Sequence, residues 1–405
     1  MTTEVLKYGG SSLAGSGRLE AVARDIAALA QGGVSVAVVV SAVGCTTDTL
    51  LEAANGFSKK MNRREIDQLI ATGEQQSVAL LTMALEELGV RAHSFSGWQA
   101  GFKGSGVFTD GRIRTVDPVM VEKCLQRGAV AVVAGFQAVT EEGDVITLGR
   151  GGSDLSAVAL AAALEADCCL IYTDVDGVYT ADPRLVPEAR RLESVSCGEC
   201  MEMAAAGARV LQARSVELAW RYRVPLYVAS SFDRERGTWI MRKDVSEKFV
   251  VRSIAHDSGV AKVAVLGVPD TPGIAARVFT PLSEAGVGVE MIIQSIMRGQ
   301  VNDIAFLVRK EFLGEAIEVC RRTAREVGAQ GVAFDTEIGK ISLVGAGLAN
   351  HPEAPARMFS VLAGESVNID MISSTSMAIT CVVSSSDVER AVKALHRSFI
   401  EEDPL

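Results

Sequence analysis

Five stretches of this 405-residue sequence set glycines, hydroxyls and charges at spacings suited to handling anions. LKYGGSS offers Lys7 and Tyr8, then Gly9, Gly10, Ser11 and Ser12. Paired glycines let the backbone approach a ligand closely and turn its amides toward phosphate oxygens, with Lys7 as a mobile cation beside them. The spacing is not that of a Walker A loop. SAVGCTTD brings Ser41, Gly44, Thr46 and Thr47 behind an apolar run, where hydroxyls also serve as ordinary helix caps. IATGEQQS places Glu74 one residue after a glycine in a helical context. TLGRGGSD crowds Gly149, Gly151 and Gly152 around Arg150, and Ser153 or Asp154 is expected to cap a helix beginning near Ala157. A helix N-terminus attracts anions, and Arg150 beside it can fork onto a carboxylate. IYTDVDGVYTADPR gathers Asp174, Asp176 and Asp182 with Tyr179 and Arg184 in a loop whose Asp-Gly and Asp-Pro pairs also favour turns.

These stretches need a scaffold that brings them to one place. Apolar runs at 36–40, 129–134, 170–173 and 225–229 read as buried strands, and each precedes or lies near one of the motifs. Leu19, Val22, Ala23, Ile26, Leu29 and Ala30 recur at helical spacing, and 119–126 reads as a helix with Asp117 as cap and Pro118 in its first turn. Such alternation, with near-continuously apolar strands, predicts an α/β sandwich with a mainly parallel sheet. In such folds ligands gather at the carboxyl ends of the strands.

The final third repeats itself. KVAVLGVPDTPGIAARVFTPLSEAGVGVEMIIQS begins at Lys262 and KISLVGAGLANHPEAPARMFSVLAGESVNIDMISS at Lys340. Phe279 matches Phe359, Leu282 matches Leu362, and Met291 matches Met371, all 80 residues apart. Each copy reads strand, proline-containing loop, helix, strand, strand: a small βαββ unit present twice. The charged, weakly periodic segment 232–260 reads as the junction.

Composition bounds the rest. A net charge of −10 argues against a broad nucleic-acid surface, though it permits a local cationic pocket. The 8 cysteines lack the spacing of a disulfide framework, and Cys197 and Cys200 have no second pair to complete a zinc site. No stretch reads as a signal peptide or spans a bilayer, so a cytoplasmic protein is expected.

KYGGSS, SAVGCTTD, TGE, VAGFQAVTEEGDVITLGRGGSD and IYTDVDGVYTADPRLVPEARRL resemble, in order and spacing, the motifs of the aspartokinases of the amino-acid kinase superfamily. The repeats resemble the tandem ACT domains of its monofunctional members. The resemblance implies a kinase-type three-layer sandwich over 1–245, then ferredoxin-like ACT units over 246–335 and 336–405. It implies phosphorylation of the L-aspartate side chain by ATP with Mg²⁺ carried on the nucleotide, as the first step toward lysine, threonine and methionine. On that resemblance Lys7 and Asp154 are catalytic. Lys7, Tyr8, Gly9, Gly10, Ser11, Thr173, Asp174, Tyr179, Asp182, Arg184, Arg209 and Val210 bind ATP. Ser41, Thr47, Glu74, Arg150, Gly151 and Asp154 bind the amino acid. Asp270, Glu290 and Gln294 would meet a lysine-like effector, and a homodimer or larger homo-oligomer is implied.

Departures from the family pattern are few. Cys45 stands where many relatives carry a charge, and GARVLQARSVE stands for GAKVLHPRSVE. QSIM, residues 294–297, and Ser376 with Ala378 replace polar or charged residues of the usual effector loops, which predicts weakened or altered inhibition, by threonine above all. A kinase for a related amino acid and a non-catalytic amino-acid sensor are the alternatives.

Overall fold

The computed structural model describes residues 2–57, 62–208, 210–241, 250–295, 301–348 and 351–402. They form two compact units, the first comprising Met1–Tyr179, Arg191–Ala204 and Arg209–Val245, and the second Thr180–Arg190, Ala205–Ala208 and Ser246–Leu405.

The first unit is built on an eight-stranded sheet. Its order is Ser194–Ser196, Gly237–Met241, Leu226–Ser230, Cys168–Thr173, Thr3–Tyr8, Ser35–Val40, Val130–Ala134 and Ala92–Phe95. Every neighbouring pair is parallel except Leu226–Ser230 with Gly237–Met241. The central strands are buried on both faces, which is why they read as unbroken valine-rich runs.

Strand parity then sorts their side chains. Leu6, Tyr8, Val36, Val38 and Val40 pack with Val22, Ala23 and Ile26 of helix Ser16–Gln31 and Val78, Leu81 and Leu85 of helix Thr72–Glu87. Alternation sends Val5, Lys7 and Val39 to the opposite face, covered by helix Gly152–Ala163. Residues 152 to 161 of that helix are all buried, so its alanines answer a helix enclosed on every side rather than an amphipathic one. Helix Val119–Gln126 forms as expected, with the Asp117 carboxylate accepting the Val119 N–H at 3.3 Å.

The helix expected near Ala157 starts five residues earlier. Gly151 takes a left-handed φ of 71° at the cap, and its carbonyl accepts the amides of Asp154 and Leu155. Ser153 and Asp154 therefore occupy the first turn rather than capping it. Glycine alone enters that conformation without strain, so the turn closes where glycine permits it.

In the second unit both repeats form the expected strand–helix–strand–strand order. Sheet order is Val289–Gln294, Val301–Arg309, Val260–Pro269, Gly331–Asp335 in one, and Val250–Asp257, Ile338–Ala346, Ala378–Ser384, Ile369–Ser374 in the other. Each copy adds a second helix that the repeat reading lacked, Leu313–Val327 and Val388–His396. Strand Val250–Asp257 is the other surprise: it comes from the supposed junction, yet pairs with the second copy's strand Ile338–Ala346. A register shift between Val251 and Ser253 breaks its alternation, which hid the strand from a period-two reading.

Candidate active site

Parity gives Lys7 its partner. It points from the end of strand Thr3–Tyr8 toward the first turn of helix Gly152–Ala163, where its Nζ meets Asp154 Oδ1 at 2.6 Å. Side-chain exposure is 10% and 13%, so both ions are largely withdrawn from water and neither is affordable without the other. The Gly9 amide donates to the Tyr172 carbonyl at 3.2 Å, so it is held within the sheet instead of facing a phosphate as expected. Gly9 lies directly beside the ammonium: a Cβ there would be in ordinary contact, 3.6 Å from Lys7 Nζ. Tyr8 stacks on Tyr172 at 5.1 Å on the other face of the sheet, away from the lysine.

Glu74 lies in the first turn of helix Thr72–Glu87 and is 3% exposed. Oε1 accepts the Ala42 N–H at 3.0 Å, while Oε2 is buried with no hydrogen-bond partner. Burial pushes the carboxyl up to about 7, against the pull of the Ala42 amide and of its own backbone amide. The preceding Gly73 makes this possible, because a Cβ there would fall 2.8 Å from the Ala42 Cβ. Glycine thus brings the helix onto the Ser41–Ala42 loop. Ser41 follows the strand directly, with its amide on the Tyr8 carbonyl at 3.1 Å, and Thr47 sits in the first turn of helix Thr46–Phe57. Arg150 is exposed beside the half-buried Gly151.

The remaining expected residues are more scattered. Thr173 Oγ1 donates to Asp174 Oδ1 at 3.1 Å at the end of strand Cys168–Thr173, and Tyr179 donates to Asp176 at 2.8 Å. Asp182 and Arg184 belong to the second unit, joined at 2.7 Å, and the guanidinium holds the Asp182 carboxyl below its ordinary range. Ser11 lies in a short helical turn, and Val210 is half-buried. Arg209, Ile296 and Met297 lie outside the described residues.

The expected effector residues are largely engaged. Glu290 Oε2 meets Lys340 Nζ at 2.5 Å and its Oε1 lies 3.6 Å from Arg309 Nε. Lys340, 4% exposed, also donates to the Ala205 carbonyl at 2.8 Å, and Arg309 pairs with Asp257 at 2.5 Å. Asp270 accepts from Asn302 at 3.2 Å, and Gln294 is exposed at a strand end.

One residue escaped sequence reasoning. Asp67 is fully buried; its carboxylate accepts the amides of Thr109 and Thr147 at 2.9 Å and the Thr147 hydroxyl at 2.7 Å. It anchors the chain just ahead of the Gly149–Gly151 turn. The signal was an aspartate between Ile66 and Ile70 on the buried stripe of helix Arg63–Ile70.

Known proteins resemble this chain in sequence and fold. The amino acid kinase family model matches residues 2–230, and that of the ACT domain matches 263–323 and 341–399. An aspartokinase of Mycolicibacterium smegmatis is 44% identical over 98% of this chain and 96% of its own length. One from Pseudomonas aeruginosa is 43% identical over 100% and 99%. Among solved structures, E. coli aspartokinase III in complex with aspartate and ADP, in its R-state, superposes with a TM-score of 0.85 at 25% identity, covering 98% of this chain and 100% of that one.

Proposed function

This chain belongs to the aspartokinases of the amino acid kinase family, and we infer that it moves the γ-phosphoryl group of ATP to the side-chain carboxylate of L-aspartate. The products are 4-phospho-L-aspartate and ADP. A carboxylate is a nucleophile at neutral pH without a general base. The barrier is repulsion between two anions, so catalysis is positioning plus charge neutralisation.

The observation that carries this reading is the buried Lys7–Asp154 pair beside the sheet's carboxyl edge, in the same unit as a glutamate with one unpartnered oxygen. Asp154 holds the Lys7 ammonium in place, where it meets the transferring phosphoryl group. Glu74 Oε2 receives the amino group of aspartate, which relieves the oxygen's isolation and restores the charged form of the carboxyl. Arg150 takes a substrate carboxylate, and Ser41 and Thr47 hydrogen-bond the amino acid. Thr173, Asp174, Tyr179, Asp182 and Arg184 receive the nucleotide. Mg²⁺ enters with ATP and neutralises its phosphate oxygens. The solved E. coli relative holds aspartate and ADP together, which supports this assignment of ligands.

The product feeds lysine, threonine and methionine synthesis, and the ACT pair supplies feedback control by an amino acid in a cytoplasmic homo-oligomer. Glu290 is already neutralised by Lys340 and Arg309, which supports altered inhibition. ADP release with Mg-ATP and a panel of aspartate, glutamate and related acids, with and without lysine and threonine, tests the reading. Turnover with aspartate alone among the acceptors is expected. Faster turnover with another acid would transfer the chemistry to that substrate, and none with any acid would leave the sensor alternative.

A further inference from the structure

Asp67 is one corner of a four-residue polar contact closed off from water. Gln137 and Thr147 stand directly opposite one another on the antiparallel strands Gln137–Val139 and Val145–Thr147. Asp67 and Ala71 are four residues apart, and so share one face of helix Arg63–Ile70 and its C-cap. The two pairs mate. Thr147 donates its amide to Asp67 Oδ2 at 2.9 Å and its hydroxyl to Oδ1 at 2.7 Å, while Gln137 Nε2 donates to the Ala71 carbonyl at 3.0 Å. All four residues are fully buried. A buried carboxylate held by hydrogen bonds alone is unfavourable beside an apolar residue of like volume. What it supplies is direction, since its donors fit it in one arrangement.

A third segment joins the same carboxylate. Asp67 Oδ2 also accepts the Thr109 N–H at 2.9 Å, at the tip of the hairpin formed by strands Phe102–Val107 and Asp110–Val116. Thr109 has a φ of 75°, a region that a β-branched residue enters only where its surroundings compel it. The tip lies on the glycine turn: a Cβ at Gly149 would fall 2.9 Å from Asp110 Oδ1 and 3.4 Å from the Thr109 carbonyl oxygen. One side chain thus holds a helix, a strand and a strained hairpin tip together.

The two sides of this contact lead to the two groups suited to an amino acid. Glu74 stands three residues beyond Ala71, and Arg150 three beyond Thr147. Glu74 Oε2 is buried without a partner, and Arg150 is an exposed cation with no ion pair among the described residues. We propose that Asp67 is a positioning residue for amino-acid binding, setting the helix that carries Glu74 against the turn that carries Arg150. The proposal rests on the reading above that these two groups receive the ammonium and a carboxylate of aspartate. Asp67 acts only through them and leaves the nucleotide side alone.

The test is steady-state ADP release by the full chain, varying aspartate and ATP separately, with thermal melting of each variant. Asp67→Leu removes the acceptor, and Gln137→Met frees the Ala71 carbonyl. Each is expected to raise KM for aspartate roughly tenfold while KM for ATP stays within about twofold, as loss of a buried hydrogen-bond partner at one side of the site implies. Thr147→Val, which removes only the hydroxyl, should raise KM for aspartate about threefold. Asp67→Asn should remain near the parent, because its amide oxygen can accept both N–H groups and its amino group can donate to the Thr147 hydroxyl. Equal rises in both KM values with a lowered melting point would reduce Asp67 to a core residue and overturn the proposal. So would an asparagine as damaging as the leucine. An unchanged KM for aspartate in both Gln137→Met and Thr147→Val overturns it as well, and that pair decides the matter if Asp67→Leu does not fold. Glu74→Gln and Arg150→Ala separate the two layers. If either leaves KM for aspartate unchanged, the reading of the site fails and the proposal with it; if both raise it while the Asp67, Gln137 and Thr147 variants do not, the proposal alone fails.

Discussion

Glu74 in the first unit and Glu290 in the second were both expected to receive an ammonium group, and the structure treats them oppositely. Glu74 is buried with one oxygen on an amide and the other on nothing. Glu290 is part of a closed network in which Lys340, Arg309, Asp257 and the Ala205 carbonyl satisfy one another. A buried acceptor without a partner costs free energy in the empty protein, which supports the proposal that Glu74 receives a ligand. A satisfied network marks a place that holds the fold. Residue type is the same in both; the difference lies in which neighbours the fold delivers.

The sharpest way to break this contrast is on the lysines. Lys7→Ala is expected to lower kcat by roughly a thousandfold, the scale of removing a preorganised charge from a transition state, with folding retained by circular dichroism. Substantial surviving turnover would remove Lys7 from the chemistry. Glu74→Gln comes next, lowering kcat/KM for aspartate by roughly a hundredfold through loss of a partly buried charge pair with the substrate.

Glu74 also predicts two pH effects of opposite sense. With a folded-state value of about 7, the carboxyl protonates below neutrality, so kcat/KM for aspartate falls as pH drops through about 7. The ligand-free protein should behave the other way. A carboxyl raised on folding binds more protons folded than unfolded, so stability declines as pH rises from its ordinary value of 4.5 to about 7. Glu74→Gln should therefore stabilise the empty protein at pH 8, by ~1–3 kcal/mol in denaturant titration. A destabilised variant would show that Glu74 is satisfied in the ligand-free protein after all.

The second unit should respond in stability rather than rate. Lys340→Met leaves Glu290 with only its longer contact to Arg309 and strands the Ala205 carbonyl, at a cost of about 1–3 kcal/mol in chemical denaturation, while kcat at 25 °C stays within about threefold because no reacting group is touched. A large loss of kcat in a fully folded variant would mean the network does more than hold the repeats. The smallest effect belongs to Cys45→Ser: the thiol is exposed, so rates should remain within about twofold. A larger change in KM for aspartate would place Cys45 against the substrate.

Much of this was legible beforehand where local chemistry and periodicity agreed. The valine runs announced a parallel sheet, and the matched phenylalanines, leucines and methionines announced the repeat. The second helices of the repeats were legible too but passed over: Ala316, Val319, Cys320, Thr323, Ala324 and Val327 are buried at plain helical spacing. Strand Val250–Asp257 was harder, because a bulge destroys the alternation that identifies a strand and because its partner lies about 90 residues further on. Asp67 was hidden for a different reason: its place on the stripe with Ile66 and Ile70 signals burial, but the Thr109 and Thr147 groups it anchors lie 42 and 80 residues away.

The order of motifs along the chain determined the family, the sheet and the identity of the groups that can manage phosphate and carboxylate, because those depend on residue type and short-range spacing. Tertiary structure alone decided which of those groups are spoken for. It closed Glu290 with cations 19 and 50 residues away, left one oxygen of Glu74 open, and tied Thr180 to a histidine 216 residues downstream. Hydrogen bonding and desolvation act through space over a few ångströms, and proximity of that kind is written in no local stretch of the chain.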